Sequence, residues 1–119
     1  MKIMVVDDSK AMRMIVMRTL RQAGFADLVI EEATNGAEGL AAIKASKPDI
    51  VLADWNMPEM NGLEMLQAIR KEGITVKFGF VTSEGTPEMR QKATAEGALF
   101  MITKPFTVET FQKALAVAI

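Results

Sequence analysis

The sequence predicts an α/β fold in which one parallel sheet carries helices on both faces. Two observations support this: short apolar runs end abruptly at polar residues, and a stretch with helical spacing follows each run. Apolar runs too short for a helix are typical of strands buried on both faces of a parallel sheet. Strands that alternate with helices imply right-handed crossovers. We therefore predict a doubly wound (βα)5 architecture, and residues 1–119 are expected to form a single domain.

Cap residues and helix breakers locate the elements in the first half of the chain. Ser9 or Asp8 can cap the first helix, and Gly24 stands where a C′ glycine belongs. Asn35-Gly36 is predicted to form a turn. The second strand is expected at an edge of the sheet because acidic residues crowd it. The predicted elements are strands at residues 2–6, 28–30 and 50–53, and helices over residues 10–23 and through Leu40 and Ile43 to about Ser46.

The first predicted helix is rich in methionine. Its apolar positions Ala11, Met14, Ile15, Leu20 and Ala23 have the spacing of a helix. Met12, Met14 and Met17 cannot all face inward, so part of this helix is expected to expose apolar surface that a partner could contact.

Three helix starts in the second half of the chain carry recognisable caps. Asn61, with Glu64 three residues later, predicts a capping box, and Thr86-Pro87 combines a cap with proline at the first helical position. Phe106 and Phe111 have the spacing of a hydrophobic staple. The predicted elements are helices that end at Gly73 and near Gly97, strands at residues 76–81 and 99–102, and a last helix capped by Thr107.

Composition excludes several classes of function. A net charge of −1 predicts no general affinity for nucleic acid or membrane surfaces. No apolar run approaches the roughly 20 residues that span a bilayer. Cysteine and histidine are both absent, so thiolate and imidazole chemistry is excluded and a metal ion would need oxygen ligands. With no cysteine and no signal peptide after Lys2, a cytoplasmic protein is expected.

Polar side chains follow four of the predicted strands. Because parallel strands run the same way, their carboxyl ends lie at one edge of the sheet, where open α/β sheets place their sites. Carboxylates that meet there repel one another unless a cation lies among them, and oxygen ligands suit Mg²⁺. The residues brought together are Asp7 and Asp8 after the first strand, Asp54 after the third, Thr82 after the fourth and Lys104 after the fifth.

These side chains together predict phosphoryl transfer to a carboxylate. Asp54 could attack a phosphoryl group and form an acyl phosphate. Mg²⁺, the Lys104 ammonium and the Thr82 hydroxyl would stabilise the phosphoryl oxygens. Each of these residues has a common structural explanation when taken alone. An aspartate after a strand is usually a turn residue or a helix cap, Thr82 could start a turn, and Lys104 could be a solvated lysine. The prediction depends on all of them falling at the same edge of the sheet.

Four segments of the sequence are recognisable. DDSKAMR at residues 7–13, DWNMPEMNG at 54–62, VTSE at 81–84 and KPF at 104–106 resemble response-regulator receiver domains. The resemblance spans the whole chain and is strongest to the single-domain receivers of chemotaxis. It implies the flavodoxin-like strand order 2-1-3-4-5.

The resemblance also implies a role for each residue at the edge. Asp54 would accept a phosphoryl group from a histidine kinase, while Thr82 and Lys104 would sense and hold that group. The implied Mg²⁺ ligands are Asp7, Asp8, Asp54 and the backbone carbonyl of Asn56. Asn56 and Glu84 are implied to tune dephosphorylation, and the bond between Lys104 and Pro105 is implied to be cis.

One position departs from the family pattern. The family's switch aromatic lies three residues before the lysine, where this chain has Met101. Phe100 is adjacent, but alternation along a strand predicts that it points to the other face. Methionine can fill the space next to Thr82 yet has no ring to lock there. Coupling between phosphorylation and the output face is therefore expected to be looser, or that face binds a different partner.

The leading hypothesis is a signalling switch rather than an enzyme. Phosphorylation of Asp54 would change a protein-binding face built by the fourth helix, the fifth strand and the fifth helix. The expected partners are a histidine kinase, the flagellar motor switch or another protein target, and a possible phosphatase. The chain is expected to be a monomer without nucleic acid or membrane insertion.

Two alternatives remain open at this point. The first is a phosphoryl carrier or sink that exchanges phosphate with histidine phosphotransfer proteins, which Met101 slightly favours. The second, more remote, is a phosphatase of the haloacid-dehalogenase kind. Such enzymes need a second aspartate two residues after the nucleophile, where this chain has Asn56. A flavodoxin-like FMN site is disfavoured because carboxylates, not phosphate-binding loops, line the edge.

Overall fold

The computed structural model describes residues 1–25 and 27–118 and shows a five-stranded parallel sheet with five helices. The strands are β1 (Lys2–Val6), β2 (Val29–Ala33), β3 (Ile50–Ala53), β4 (Lys77–Thr82) and β5 (Phe100–Thr103). The helices are α1 (Lys10–Gln22), α2 (Gly36–Ser46), α3 (Gly62–Lys71), α4 (Pro87–Ala95) and α5 (Val108–Ala118). The strand order β2-β1-β3-β4-β5 confirms the fold class and the order 2-1-3-4-5.

Alternation of side chains along the strands divides the core into two layers. Along β1, Ile3 and Val5 join the layer of α1 and α5, whereas Met4 and Val6 join the layer of α2, α3 and α4. Both β1 and β3 are buried on their two faces, as their continuous apolar runs predict. Because helices occupy both faces, the polar residues that follow the strands are left at the carboxyl edge of the sheet.

The predicted helix caps are present. The Asn61 carboxamide accepts a hydrogen bond from the Glu64 N–H at 2.8 Å, and the Glu64 carboxylate accepts one from the Asn61 N–H at 3.0 Å, which completes the capping box. The rings of Phe106 and Phe111 lie 4.8 Å apart, as expected for a hydrophobic staple. The remaining predicted caps, each accepting an N–H three residues later, are Ser9, Thr86 and Thr107.

Several predicted boundaries are wrong. Strand β2 continues through Glu31 and Glu32 to Ala33 instead of ending before the acidic residues. An edge strand tolerates these acids because Glu32 pairs with Arg13 of α1 at 2.9 Å. Asn35 is the N-cap of α2 rather than part of a separate turn. Strands β4 and β5 each begin and end one residue later than predicted.

Helix α1 exposes apolar surface, as its methionines predict. Met14 and Ile15 are 50% and 41% exposed. Arg13 is buried, and its guanidinium donates to the Asp7 carbonyl at 2.7 Å and pairs with Glu32. The buried residues of α1 are Arg13, Val16, Thr19 and Leu20, followed by the C-cap Ala23.

Replacing Gly79 with alanine is expected to destabilise the fold, because the new methyl group would overlap the Phe100 ring on the neighbouring strand. Overpacking of this kind costs roughly 1–3 kcal/mol. Urea unfolding would measure the loss. A double-mutant cycle with Phe100→Leu is the control, since the methyl group should cost less once the ring is gone. Equal losses in the two backgrounds would contradict the expectation.

Candidate functional site

The polar residues predicted to share one edge of the sheet do meet there. Asp7 and Asp8 directly follow β1, Asp54 follows β3, Thr82 is the last residue of β4, and Lys104 follows β5. One carboxylate oxygen from each aspartate lies within 4.8 Å of the other two. These five residues are called the acidic site below.

Backbone contacts hold the chain on each side of Asp54. The Asp54 N–H extends the pairing of β3 with β1 by donating to the Val6 carbonyl at 3.0 Å. The Gly62 N–H donates to the Trp55 carbonyl at 2.8 Å and folds the loop back on itself. A side chain at position 62 would collide with the Asp54 carbonyl, so glycine is required for α3 to begin this close to the site.

Lys104 connects the carboxylates of two different strands. Its ammonium lies 3.3 Å from the Asp54 carboxylate and 3.4 Å from that of Asp7. The Lys104 N–H donates to the Thr82 carbonyl at 2.8 Å, which fixes the start of the loop that carries the lysine. The Lys104–Pro105 peptide bond is cis, as the resemblance implies.

Asp7 is the most buried carboxylate of the acidic site, with 4% of the residue exposed. Burial raises the pKa of Asp7 above its ordinary value of 3.8, and the nearby charge of Asp54 raises it further. Two contacts oppose this shift: the Ser9 N–H donates to the carboxylate at 2.9 Å, and Lys104 pairs with it. Because the pKa of Asp7 is raised overall, its surroundings disfavour the ionised form of this carboxyl group.

The chemistry of these groups fits a hard divalent cation. Three carboxylates face a single ammonium, which leaves an excess of negative charge at the edge of the sheet. Asp8 is exposed, so the cluster is open to solvent, while the burial of Asp7 makes that charge costly to leave uncompensated. Carboxylate oxygens are the ligands that Mg²⁺ prefers.

The remaining predicted residues lie around the acidic site. Thr82 is fully buried, and its hydroxyl accepts a long hydrogen bond of 3.5 Å from the Glu84 N–H. The side chain of Glu84 is exposed. The Asn56 N–H donates to the Asp54 carboxylate at 3.4 Å. Asn56 and Glu84 therefore both lie beside the acidic site.

Met101 and Phe100 point to opposite faces, as strand alternation predicts. Met101 packs against the layer of α2, α3 and α4, and Phe100 packs against the layer of α1 and α5. Phe100 lies over Gly79 of β4. It therefore does not replace the missing aromatic at position 101.

Arg13 and Trp55 support the site, although the sequence pattern gave them no role there. Arg13 holds the Asp7 carbonyl from α1, and the Trp55 ring packs 5.0 Å from Phe80 beside Asp54. A signal for Arg13 was present, because it lies three residues before the buried Val16 on the inward face. The chain's single tryptophan therefore lies next to the candidate acceptor.

Comparisons with known proteins agree with this geometry. The family model described as the response regulator receiver domain matches residues 3–116. The chain is 34% identical over 122 residues to the chemotaxis protein CheY1 of Helicobacter pylori, covering 100% of this chain and 97% of that protein. It is 34% identical over 116 residues to the probable chemotaxis protein CheY of Rhizobium etli, covering 96% and 88%.

Solved structures agree as well. The chemotaxis protein CheY4 of Vibrio cholerae has a TM-score of 0.86 and 35% identity, with 99% of this chain and 98% of that chain covered. The segment matched by the family model contains all of the sheet except Lys2, and it contains all five residues of the acidic site. The chain therefore belongs to the response regulator receiver domain family, and its relatives include chemotaxis proteins of the CheY type.

Proposed function

We propose that this receiver domain is a phosphoryl-accepting switch in which Asp54 is the acceptor. Membership of the family makes the chain a response regulator of a two-component system, a class that takes phosphate from a histidine kinase. The observation that carries the proposal is the position of Lys104, whose ammonium contacts both Asp54 and Asp7. A cation held between two carboxylates from different strands is suited to an incoming phosphoryl group.

Mg²⁺ is the proposed cofactor of the acidic site. Its ligands would be the carboxylates of Asp7, Asp8 and Asp54 and the backbone carbonyl of Asn56. The excess of negative charge among the three carboxylates supports this assignment. When bound, Mg²⁺ would neutralise charge on a phosphoryl oxygen.

The proposed reaction transfers a phosphoryl group from a phosphohistidine. An oxygen of the Asp54 carboxylate attacks the phosphorus atom, and an O–P bond forms while the P–N bond breaks. The electron pair of the broken bond stays on the imidazole nitrogen of the donor, which takes a proton from solvent. Lys104 would turn from Asp54 to a phosphoryl oxygen, and the Thr82 hydroxyl would donate to another.

We propose that the acyl phosphate is a signal and not a step in enzymatic turnover. A phosphatase of the haloacid-dehalogenase kind needs an acid and base two residues after its nucleophile. This chain has Asn56 there, and an amide can neither give up nor take a proton at neutral pH. Together with Glu84, Asn56 would tune how long the phosphoryl group survives.

The proposed setting is a cytoplasmic chemotaxis pathway, because two relatives are named as chemotaxis proteins. A CheA-like histidine kinase would donate the phosphoryl group, and the flagellar motor switch would be the target. The chain would act as a monomer, and a phosphatase would be a further partner. The face of α4, β5 and α5 would read out the change. Among the described residues, no helix has both the length and the apolar character needed to cross a membrane.

Asp54→Asn is expected to abolish the response to phosphoryl donors and to keep a weakened response to Mg²⁺. The fluorescence of Trp55, which packs beside the site, would follow both steps. Mg²⁺ would be added first, and acetyl phosphate or beryllofluoride second. Asp27→Asn is a matched control, because it removes a remote, exposed carboxylate at a positive φ that asparagine tolerates.

A donor response that survives in Asp54→Asn would contradict the proposed acceptor. Mass spectrometry of the wild type should show one phosphoryl adduct, and the variant should show none. Transfer of the label from phosphorylated protein back to a histidine phosphotransfer protein would instead indicate a carrier or sink.

Asp7→Asn is expected to stabilise the metal-free protein while weakening Mg²⁺ binding. The pKa of Asp7 is raised in the folded state, so the folded protein binds this proton more tightly than the unfolded chain does. The contribution of Asp7 to stability is therefore full below the ordinary value of 3.8 and is lost as the pH rises through the folded-state pKa. At neutral pH the amide should gain on the order of 1 kcal/mol, as is common when a costly site charge is removed.

Thermal unfolding in EDTA would test this from about pH 4 to pH 7. The melting temperature of Asp7→Asn should rise relative to that of the wild type as the pH increases, whereas Asp27→Asn should show no such trend. A constant gap, or a wild type that is the more stable protein at pH 7, would contradict the expected cost of the Asp7 charge.

A further inference from the structure

Helix α4 is held to the protein by little apolar packing. The structure describes all of its residues, and Ala93 is the only buried one, whereas the other helices each bury three or more. A cavity of about 280 Å³ lies between α4 and β5, lined in part by Arg90, Leu99 and Met101. The position of α4 therefore depends on contacts other than a packed core.

Arg90 supplies two of these contacts near the N-terminal end of α4. Its Nε donates to the Gly85 carbonyl at 3.3 Å, and its Nη1 donates to the Met101 carbonyl at 3.4 Å. One guanidinium thus joins α4, the loop that precedes it and β5. Both hydrogen bonds are long and exposed, so water can replace them at small cost.

Gly85 is enclosed between Arg90 and β5. A Cβ at this position would come within 2.5 Å of Thr103 Cγ2 and 3.2 Å of Arg90 Nη2. Thr103 immediately precedes Lys104, and Gly85 lies three residues after Thr82. The group of Gly85, Arg90, Met101 and Thr103, called the Arg90 clamp below, therefore adjoins two members of the acidic site.

The other end of α4 is fixed more firmly. Arg70 of α3 donates to the carbonyls of Glu96, Gly97 and Ile74 at 3.2, 3.3 and 2.9 Å. The Glu96 and Gly97 carbonyls follow α4, whereas the Ile74 carbonyl belongs to the segment after α3. The Gln67 carboxamide also donates to the Glu96 carboxylate at 3.4 Å, and the buried Ala93 lies toward this end of α4. The Arg90 side is therefore the easier one to release.

We propose that Arg90 is a positioning residue of the switch, which holds the β4–α4 loop in its phosphoryl-free position. This inference rests on the proposed phosphorylation of Asp54. A Thr82 hydroxyl drawn to a phosphoryl oxygen moves the loop attached to it, and Gly85 then leaves the guanidinium. Arg90 is released, and its charge becomes available on the face of α4 and β5.

The presence of methionine at position 101 explains why the hydrogen bonds of Arg90 would be needed to couple the β4–α4 loop to β5. Its side chain leaves the cavity beside α4 open and offers no ring to lock in place. The Arg90 guanidinium binds the backbone of the same residue and gives the loop a directional link to β5. Coupling in this chain would therefore depend on hydrogen bonds rather than on the rotation of an aromatic ring.

Hydrogen exchange of the unphosphorylated full chain tests the Arg90 clamp directly. In Arg90→Ala, amides from Glu84 to Ala95 should exchange about three- to tenfold faster, while those of β1 and β3 keep their rates. Arg90→Lys keeps the charge with a single donor group and should restore part of the protection. Lys92→Ala is the matched control, because it removes a charge from the same helix. Within the part of the chain that the structure describes, Lys92 forms an ion pair with Glu88 alone.

Beryllofluoride with Mg²⁺, followed by Trp55 fluorescence, tests the coupling. If the clamp stabilises the free state alone, its loss must tighten beryllofluoride binding, by about three- to tenfold in Arg90→Ala. Lys92→Ala should match the wild type. A residue that served only stability would leave the affinity unchanged or lower it.

Unchanged exchange in Arg90→Ala, or an affinity equal to or weaker than that of the wild type, would overturn the proposal. A wild type that ignores beryllofluoride would mean that the phosphoryl-acceptor function fails and that the coupling fails with it. Amide hydrogen exchange would then still decide whether the Arg90 clamp holds the β4–α4 loop.

Discussion

The repulsion among carboxylates that the sheet forces together is the constraint on which the rest of the structure depends. Parallel pairing of β1 with β3 sets Val6 opposite Ala53, so the residues that follow both strands are acidic neighbours. Lys104 reaches them from β5, on the far side of β4, and offsets part of the charge. The same excess charge would attract the proposed cation, which would offset the repulsion among the carboxylates.

Long basic side chains that bind backbone carbonyls recur in this protein, two near the acidic site and one, Arg70, at the opposite edge of the sheet. Arg13 holds the Asp7 carbonyl, Arg70 holds the segment after α4, and Arg90 holds the segment before it. These hydrogen bonds orient a helix or loop without adding to the apolar core, and water can easily replace one that is exposed. The protein thus combines a tightly packed sheet with helices whose attachment varies from firm to weak, which suits the proposed two-state switch.

Local patterns and the shared direction of parallel strands were sufficient to predict a parallel sheet, most of the helix caps and the grouping of the acidic site. The strand order came from the family resemblance. Local patterns failed at β2, where an edge position lets two glutamates continue the strand, and they did not reveal that Arg13 is buried in α1. The partners of Arg13 come from separate elements, so local periodicity could not reveal them. The contacts of Arg90 go to backbone oxygens, which leave no trace in residue type.

The ion pair between Arg13 and Glu32 has a consequence for aggregation. Strand β2 is the outermost strand on its side of the sheet, and charge on such a strand discourages pairing with another molecule. The same Glu32 carboxylate orients the guanidinium that supports Asp7. Replacing Glu32 with an apolar residue would therefore promote association between sheets and would also loosen the support of Asp7. The resistance of this edge to aggregation and the proposed phosphoryl chemistry thus depend on the same ion pair.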